Sequence, residues 1–301
     1  MIPKIIHYCW FGRNPKPKLA EKCIKSWKKY CPEYEIIEWN EDNYDLSSAP
    51  LYVRQAYEAK RWAFVTDYIR LQVIYEHGGI YLDTDVELRK SLDPLLVHQA
   101  YFGFEDEKNI NTGHGFGSVK GLPLLKDIME DYEGISFLRE DGSADLEPCT
   151  SRNTRVFLKH GLKQNNTEQM LPGDVLILTS DYFCPIDFST NVRRMTDNTY
   201  SIHWFGVSWQ TEEEKKATEA WQRETRRENR LVKLVQIRNR IGAAILGEER
   251  YDKMKRLARH LLGRLGEELY ANDQRYCSGL QSGTLSSPLC GQHPEPDLQG
   301  F

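Results

Sequence analysis

Apolar and β-prone residues open the chain. Pro3 to Trp10 alternate loosely, are rich in Ile, Tyr and Trp, and predict a buried first strand. Gly12 to Pro17 has the composition of a turn. Leu19, Cys23, Ile24 and Trp27 then recur at helical spacing, with lysines elsewhere, so Leu19 to Tyr30 predicts an amphipathic helix that Pro32 ends. Tyr34 to Trp39 predicts a second strand, and the Asp- and Asn-rich stretch Asn40 to Pro50 a loop. One long helix is expected from about Leu51 to His77, on the apolar positions Val53, Ala56, Tyr57, Ala63, Phe64, Tyr68, Leu71 and Ile74, with Gly78-Gly79 as its stop. Ile80 to Asp83 follows as a short strand. Strand, helix, strand, helix, strand in this order predicts an α/β fold with a mostly parallel sheet.

Periodicity is weaker through the middle. Tyr101 to Phe104 and Val175 to Leu178 read as strands, Leu122 to Tyr132 and Thr154 to Lys159 as helices, and Thr199 to Trp209 as a last strand with its exit loop. Thr211 to about Leu269 is helical by pattern, with a break at Gly242 or Gly247. The expected organisation is a catalytic domain over 1–210, a basic helical extension over 211–270 and a flexible Gly-, Ser-, Pro- and Gln-rich tail over 271–301.

The chain has 301 residues, 40% hydrophobic and 28% charged, enough for a substantial core; a disordered chain and a collagen-like repeat are excluded. Its net charge of −4 hides an asymmetry. Residues 1–214 carry a net −9, residues 215–264 a net +9 and the remainder −4. An acidic body with a basic appendage follows, and the appendage is suited to an anionic membrane face rather than to nucleic acid, since no nucleic-acid module accompanies it. Leu231, Leu234, Val235, Ile241 and Ile245, then Leu257, Leu261, Leu262 and Leu265, give this segment an apolar side, which packing on the body would explain equally. Seven cysteines without a C-x-x-C pair predict free thiols. No run of eighteen apolar residues occurs, and the opening lacks a signal peptide's apolar stretch. The expected location is therefore cytoplasmic, peripheral on the inner face of the plasma membrane if the basic segment binds there.

The segment from Gly78 to Asp85, GGIYLDTD, carries the chemistry. A buried strand ends in Asp83 and Asp85, two carboxylates that would face the same way in an extended segment. Hard oxygen donors at the C-terminal edge of a sheet suit Mg²⁺ or Mn²⁺ and, through it, a diphosphate. A D-x-D pair alone is equally a solvated loop with two acids. Asp67 and Arg70 stand at i and i+3 of the preceding helix and can pair, at a surface or at the site. Trp10 on its strand is core or an aromatic platform; His203, between Ile202 and Trp204, is a core histidine or a ligand. Asn111 to Gly117, NTGHGFG, is a Gly-rich loop with no following G-K-[ST], and reads as a wall of the site rather than a phosphate loop.

The strings Ala63 to Arg70 (AFVTDYIR) and Tyr75 to Asp85 (YEHGGIYLDTD) resemble the D-x-D sugar-binding region of family 32 glycosyltransferases, a group related to the glucosyltransferase domains of large clostridial toxins. Ile2 to Gly12, Ser26-Trp27-Lys28, Trp39-Asn40-Glu41, Ile202-His203-Trp204 and Ser208-Trp209 are similar to other parts of that family, in order over roughly residues 2 to 209. The resemblance implies a GT-A fold and retaining, metal-dependent glycosyl transfer from a nucleotide-sugar donor to a glycan or lipid-linked acceptor, with Mn²⁺ or Mg²⁺ as cofactor. It implies Asp83, Asp85 and His203 as metal ligands, Asp83, Asp85 and Arg70 as catalytic residues, and Trp10, Asp67, Arg70, Asp83, Ser208 and Trp209 as donor-binding residues. The expected setting is bacterial surface polysaccharide synthesis, capsule or lipopolysaccharide. Two other readings remain: a haloacid-dehalogenase-type phosphatase using Asp83 as nucleophile and Asp85 as acid, and a nucleotide-sugar- or glycan-binding domain without turnover.

Overall fold

The structure, a computed structural model, describes residues 1–206 and 212–256. Compact units divide between Thr211 and Glu212. The first unit is a mixed α/β domain built on an eight-stranded sheet. In chain order its elements are β1 (Ile5–Cys9), α1 (Lys18–Tyr30), β2 (Glu35–Trp39), α2 (Leu51–Glu58), α3 (Trp62–His77), β3 (Gly79–Tyr81), β4 (Val86–Leu88), β5 (Ala100–Phe104), β6 (Ile110–Asn111), β7 (Phe116–Ser118), α4 (Pro123–Glu130), α5 (Cys149–Lys159), β8 (Gln169–Leu171), β9 (Val175–Leu178), α6 (Ser180–Phe183) and β10 (Ser201–His203). The sheet order is β2-β1-β3-β7-β5-β9-β8, with β6 beside β5.

Side-chain alternation explains how the sheet is covered. On β5, Ala100, Phe102 and Phe104 face one core and Tyr101 the other; on β3, Ile80 and Tyr81 divide the same way. The first core gathers α2, α3, α4 and α5 around Tyr52, Ile69, Phe102, Phe116 and Phe157. On the opposite face α1 turns Ala20, Cys23 and Trp27 inward, at spacings that share one side of a helix.

The expectation of a mostly parallel sheet is corrected. β1 pairs in parallel with β2 and β3, and β5 with β9, but β7 lies antiparallel between β3 and β5, and β6 and β8 are antiparallel as well. The short strands β6, β7 and β8 have too few residues to show a period. The single helix expected over Leu51 to His77 is two helices, because Lys60 takes a left-handed backbone (φ 57°) between them. α3 ends at His77 with Gly78 as its cap, as expected. Asp83 and Asp85 do not lie on a strand. They occupy a tight turn, closed by the Val86 N–H donating to the Asp83 carbonyl at 3.0 Å, that passes the chain from β3 to β4.

The second unit opens with α7 (Glu212–Leu246). Gly242 stays helical, and the break falls at Gly247, whose φ is 78°, before helix resumes over 248–256. Among the described residues no helix is long and apolar enough to cross a membrane, and Cys9, Cys23, Cys31, Cys149 and Cys184 are free thiols. The four C-terminal leucines named above and the 271–301 tail lie outside the described residues.

Candidate functional site

The frame of the site is set beneath it. Gly79 takes φ 108°, and a Cβ there would stand 2.8 Å from the Ile5 carbonyl oxygen and 2.9 Å from His7 Nε2, so β3 can reach β1 only with glycine at this position. His7 is fully buried. Its Nε2–H donates to the Gly78 carbonyl and its Nδ1 accepts from Trp39 Nε1, each at 3.0 Å, which fixes a neutral imidazole in one tautomer. β4 is held from the other side: Trp27 Nε1 donates to the Val86 carbonyl at 2.7 Å and the Leu88 N–H donates to Ser26 Oγ at 2.9 Å.

β10 pairs antiparallel with β4, His203 opposite Val86, and this brings a residue from near the end of the first unit beside the acid turn. One oxygen or nitrogen from each of Asp83, Asp85 and His203 lies within 4.8 Å of the others. His203 Nε2 is 3.4 Å from Asp85 Oδ1, while its Nδ1 is buried with no hydrogen-bond partner among the described residues. Asp85 Oδ2 accepts the Gly206 N–H at 2.7 Å. Asp83 Oδ1 accepts the Tyr81 hydroxyl at 2.9 Å, and its own N–H donates to the Gly113 carbonyl at 2.9 Å. The two carboxylates keep 28% and 21% exposure, enough for a ligand to reach them.

Arg70 joins the cluster from α3. Its side chain is 4% exposed, it is ion-paired with Asp67, and its Nη1 stands 3.4 Å from Asp83 Oδ2. Nε donates to the Thr66 carbonyl at 3.0 Å and the guanidinium lies over the Tyr81 ring at 5.3 Å. The pair expected from the i, i+3 spacing therefore lies under the acid turn, not on the surface.

Electrostatics separate the two acids. Burial pushes the Asp83 carboxyl up, and Arg70 offsets only part of this. Burial also acts to raise Asp85, but His203 and the Gly206 N–H outweigh it and hold it below the usual carboxylate range. Burial works to lower His203, and Asp85 wins, so its imidazole sits above its ordinary value. His203 and Asp85 thus favour one another's charged forms. Two carboxylates and an imidazole suit Mn²⁺ or Mg²⁺, and the unpartnered Nδ1 leaves the His203 tautomer open to suit a cation.

Trp10 is half-buried past the end of β1, its Nε1 donating to the Asn14 carbonyl at 2.7 Å and Lys16 lying 5.7 Å over its ring. No contact joins it to the acid cluster among the described residues. Ser208 and Trp209 fall outside those residues. Sequence reasoning did not single out Asn111, Gly113, Glu105 or His114 as individual site residues. A Cβ on Gly113 would stand 2.2 Å from Asp83 Oδ2 and 2.6 Å from Arg70 Nη1, so NTGHGFG is the wall against which Asp83 rests. Asn111 ties that wall together by accepting the Gly113 N–H and donating to Glu105. His114 is fully buried against Phe183 and His203, ring centres 5.9 and 6.3 Å away; burial, then His203, pushes it down to about 3, so it is neutral. The signal for this wall was the glycine string itself.

Residues 17–102 match the family described as "Glycosyltransferase sugar-binding region containing DXD motif", which bears out the resemblance read from the sequence. Inositol phosphoceramide mannosyltransferase 3 of Schizosaccharomyces pombe is 30% identical over 143 residues, covering 45% of this chain and 38% of the relative. The uncharacterized glycosyltransferase L373 of Acanthamoeba polyphaga mimivirus is 26% identical over 226 residues, 69% of this chain and 84% of the relative. The chain thus spans well under half the length of the first relative. Among solved structures, the PaToxG glycosyltransferase aligns with a TM-score of 0.40 and 18% identity, over 52% of this chain and 68% of that one.

Proposed function

We propose that this chain, which carries a glycosyltransferase sugar-binding region over residues 17–102, is a divalent-cation-dependent retaining glycosyltransferase with a GT-A catalytic domain over 1–210. It would move a hexosyl group from a nucleotide-sugar donor to a glycan or lipid-linked acceptor. The observation that carries the reading is the convergence of Asp83, Asp85 and His203 on one point, with the Arg70–Asp67 pair directly behind.

Asp83, Asp85 and His203 would hold Mn²⁺ or Mg²⁺, which when bound supplies positive charge opposite the leaving diphosphate. The chain's own residues do the rest. Arg70 is locked by Thr66, Asp67 and Asp83, so it presents a fixed charge with no reorganisation when the donor binds. Asp67 would act from behind, orienting Arg70 through their buried ion pair. Tyr81 aims Asp83 through its hydroxyl, and Gly113 leaves the space in which the carboxylate turns. Ser208 and Trp209 would contact the diphosphate, and Trp10 would stack on the base. No carboxylate is assigned as a covalent nucleophile; the roles are positioning and electrostatics.

The setting we favour is assembly of a bacterial surface polysaccharide on the cytoplasmic side of the membrane. The name of the Schizosaccharomyces pombe relative, an inositol phosphoceramide mannosyltransferase, supports an acceptor carried on a lipid. The basic segment 215–264 would then keep the enzyme at an anionic membrane face. The match to a sugar-binding region favours this reading over the phosphatase, and donor hydrolysis separates it from a binder without turnover.

The test is a thermal-shift screen of UDP-, GDP- and CMP-sugars, each with Mn²⁺ and with chelator. A donor at about a hundredfold over its Kd adds about 2.7 kcal/mol of stability. A cation-dependent shift with one nucleotide class is expected; no shift with any class refutes the assignment.

A further inference from the structure

Two surface features share one side of α7. Arg223, Arg226, Arg227 and Arg230 recur at i, i+3, i+4 and i+7 and, with Leu231, line a cavity of about 390 Å³. The same helical line continues through Leu234, Ile237 and Ile241, which are 61%, 53% and 54% exposed. These three, with Tyr251, Met254 and Lys255, line a groove of about 560 Å³ between α7 and the helix resuming at 248. The groove is built rather than incidental. Tyr251 lies against Gly242, where a Cβ would stand 2.1 Å from its ring, and its hydroxyl donates to Asn239 Oδ1 at 3.0 Å.

Charge completes the pattern. Arg226, Arg227 and Arg230 have no ion-pair partner among the described residues, and from Asn229 to Gly247 the chain contains no Asp or Glu, only Arg230, Lys233, Arg238 and Arg240 as charges. Glu219 lies on the arginine line, while Glu224 and Glu228 fall to its flank. From Arg223 to Ile241 the face is about 27 Å long at 1.5 Å per residue. Self-association does not suit it. Parallel α7 helices would set arginine against arginine, and antiparallel ones would bury unpaired arginines in the apolar groove. A surface with phosphates at one level and hydrocarbon just beneath satisfies both halves.

We propose that this face of α7 docks on an anionic lipid bilayer, lipid phosphates on the four arginines and acyl chains against Leu234, Ile237 and Ile241. This rests on the peripheral-membrane part of the proposed function and names the surface that performs it. The arginines supply the long-range, salt-sensitive part of the binding, and the groove supplies the part that salt does not screen.

Flotation of the full chain with vesicles tests it, comparing phosphatidylcholine alone with equimolar phosphatidylcholine and phosphatidylglycerol. Binding to the anionic vesicles only is expected, with about fivefold weaker partitioning per arginine removed in the series from R230Q to R223Q/R226Q/R227Q/R230Q. L234S/I237S/I241S should lose the binding that persists at high salt. Circular dichroism of each variant confirms that α7 is still helical; a variant that has lost helix is replaced by the single substitutions R230Q or I237S. Equal binding to neutral and anionic vesicles, binding that survives the arginine series, or no binding by the wild type overturns the proposal. So does a concentration-dependent dimer that L234S/I237S/I241S converts to monomer, which would assign the face to a second copy. The donor thermal shift reads the transferase assignment independently of these outcomes.

Discussion

His7 offers a quantitative check on how the sheet beneath the site is held. Its ring is neutral and uses both nitrogens, donating to the Gly78 carbonyl and accepting from Trp39, with the His77 ring stacked at 6.1 Å. Protonation would turn Nδ1 into a second donor facing the Trp39 N–H and would place a charge on a ring fully shielded from solvent. Burial accordingly pushes the imidazole down to about 4, the Gly78 carbonyl opposing and His77 adding to the shift. In the unfolded chain the same group titrates near 6.5. Between these values the unfolded state binds more protons, so the contribution to stability is full above about pH 6.5 and is lost as the pH falls through about 4. Two and a half pKa units correspond to about 3 kcal/mol in total, of which about 2 kcal/mol should go between about pH 7 and about pH 5. Many carboxylates titrate in the same range, so the measurement is a difference. Urea unfolding of the wild type and of His7→Gln is followed across this range, because a glutamine amide can both donate and accept here without titrating. The stability gap between the two proteins should shrink by about 2 kcal/mol on acidification. A gap that stays constant would mean that His7 is not buried neutral between Gly78 and Trp39, and the account of this region would fail.

Further expectations follow from the acid turn. Asp85→Asn should leave the fold intact and remove Mn²⁺-dependent stabilisation by the donor, read by thermal shift with and without chelator; retained dependence would remove Asp85 from the cation site. Gly113→Ala places a methyl where Asp83 Oδ2 and Arg70 Nη1 now lie. It should cost about 1–3 kcal/mol in stability and more than about tenfold in kcat/KM for donor turnover, since a displaced charged group costs at least one factor of ten. Trp27→Phe removes the donor to the buried Val86 carbonyl and should destabilise by about 1–3 kcal/mol in urea unfolding, with donor affinity falling in parallel as β4 loosens.

What the sequence made legible was local. The period of α1, the helix stop at Gly78 and the pairing of Asp67 with Arg70 each depend on residues within a few positions of one another, and each is where it was expected. The errors have a common cause. The break at Lys60 is a single left-handed residue in an otherwise helical pattern, and β6, β7 and β8 are two or three residues long, so neither leaves a periodic trace. The acid turn was misread for a related reason. An i, i+2 pair of carboxylates looks the same on paper whether a pleat or a turn presents it, and only the Val86 to Asp83 hydrogen bond decides between them.

The approach of His203 to Asp85 could not be inferred from periodicity at all. It depends on a three-residue antiparallel match between strands more than a hundred positions apart, Ser201 with Leu88 and His203 with Val86. The tryptophans of the family-like strings account for how so short a pairing is kept in register. Trp27 donates to the Val86 carbonyl, Trp204 donates to Glu87 at 2.8 Å, and Trp39 donates to His7 beneath β3. Glu87 is further fixed by Lys22 at 2.7 Å. Two of these indole N–H groups are thus directed onto β4, the strand after the turn, and the third onto His7 of β1, which pairs with the strand before it. In a segment where backbone pairing supplies only a few hydrogen bonds, an indole donor at each point, buried at Trp27 and half-buried at Trp39 and Trp204, is a large fraction of what holds the geometry. The geometry of the proposed cation site therefore depends as much on Trp27, Trp39 and Trp204 as on Asp83, Asp85 and His203 themselves. Loss of any one of these indole N–H groups should separate Asp85 from His203 before it unfolds the domain.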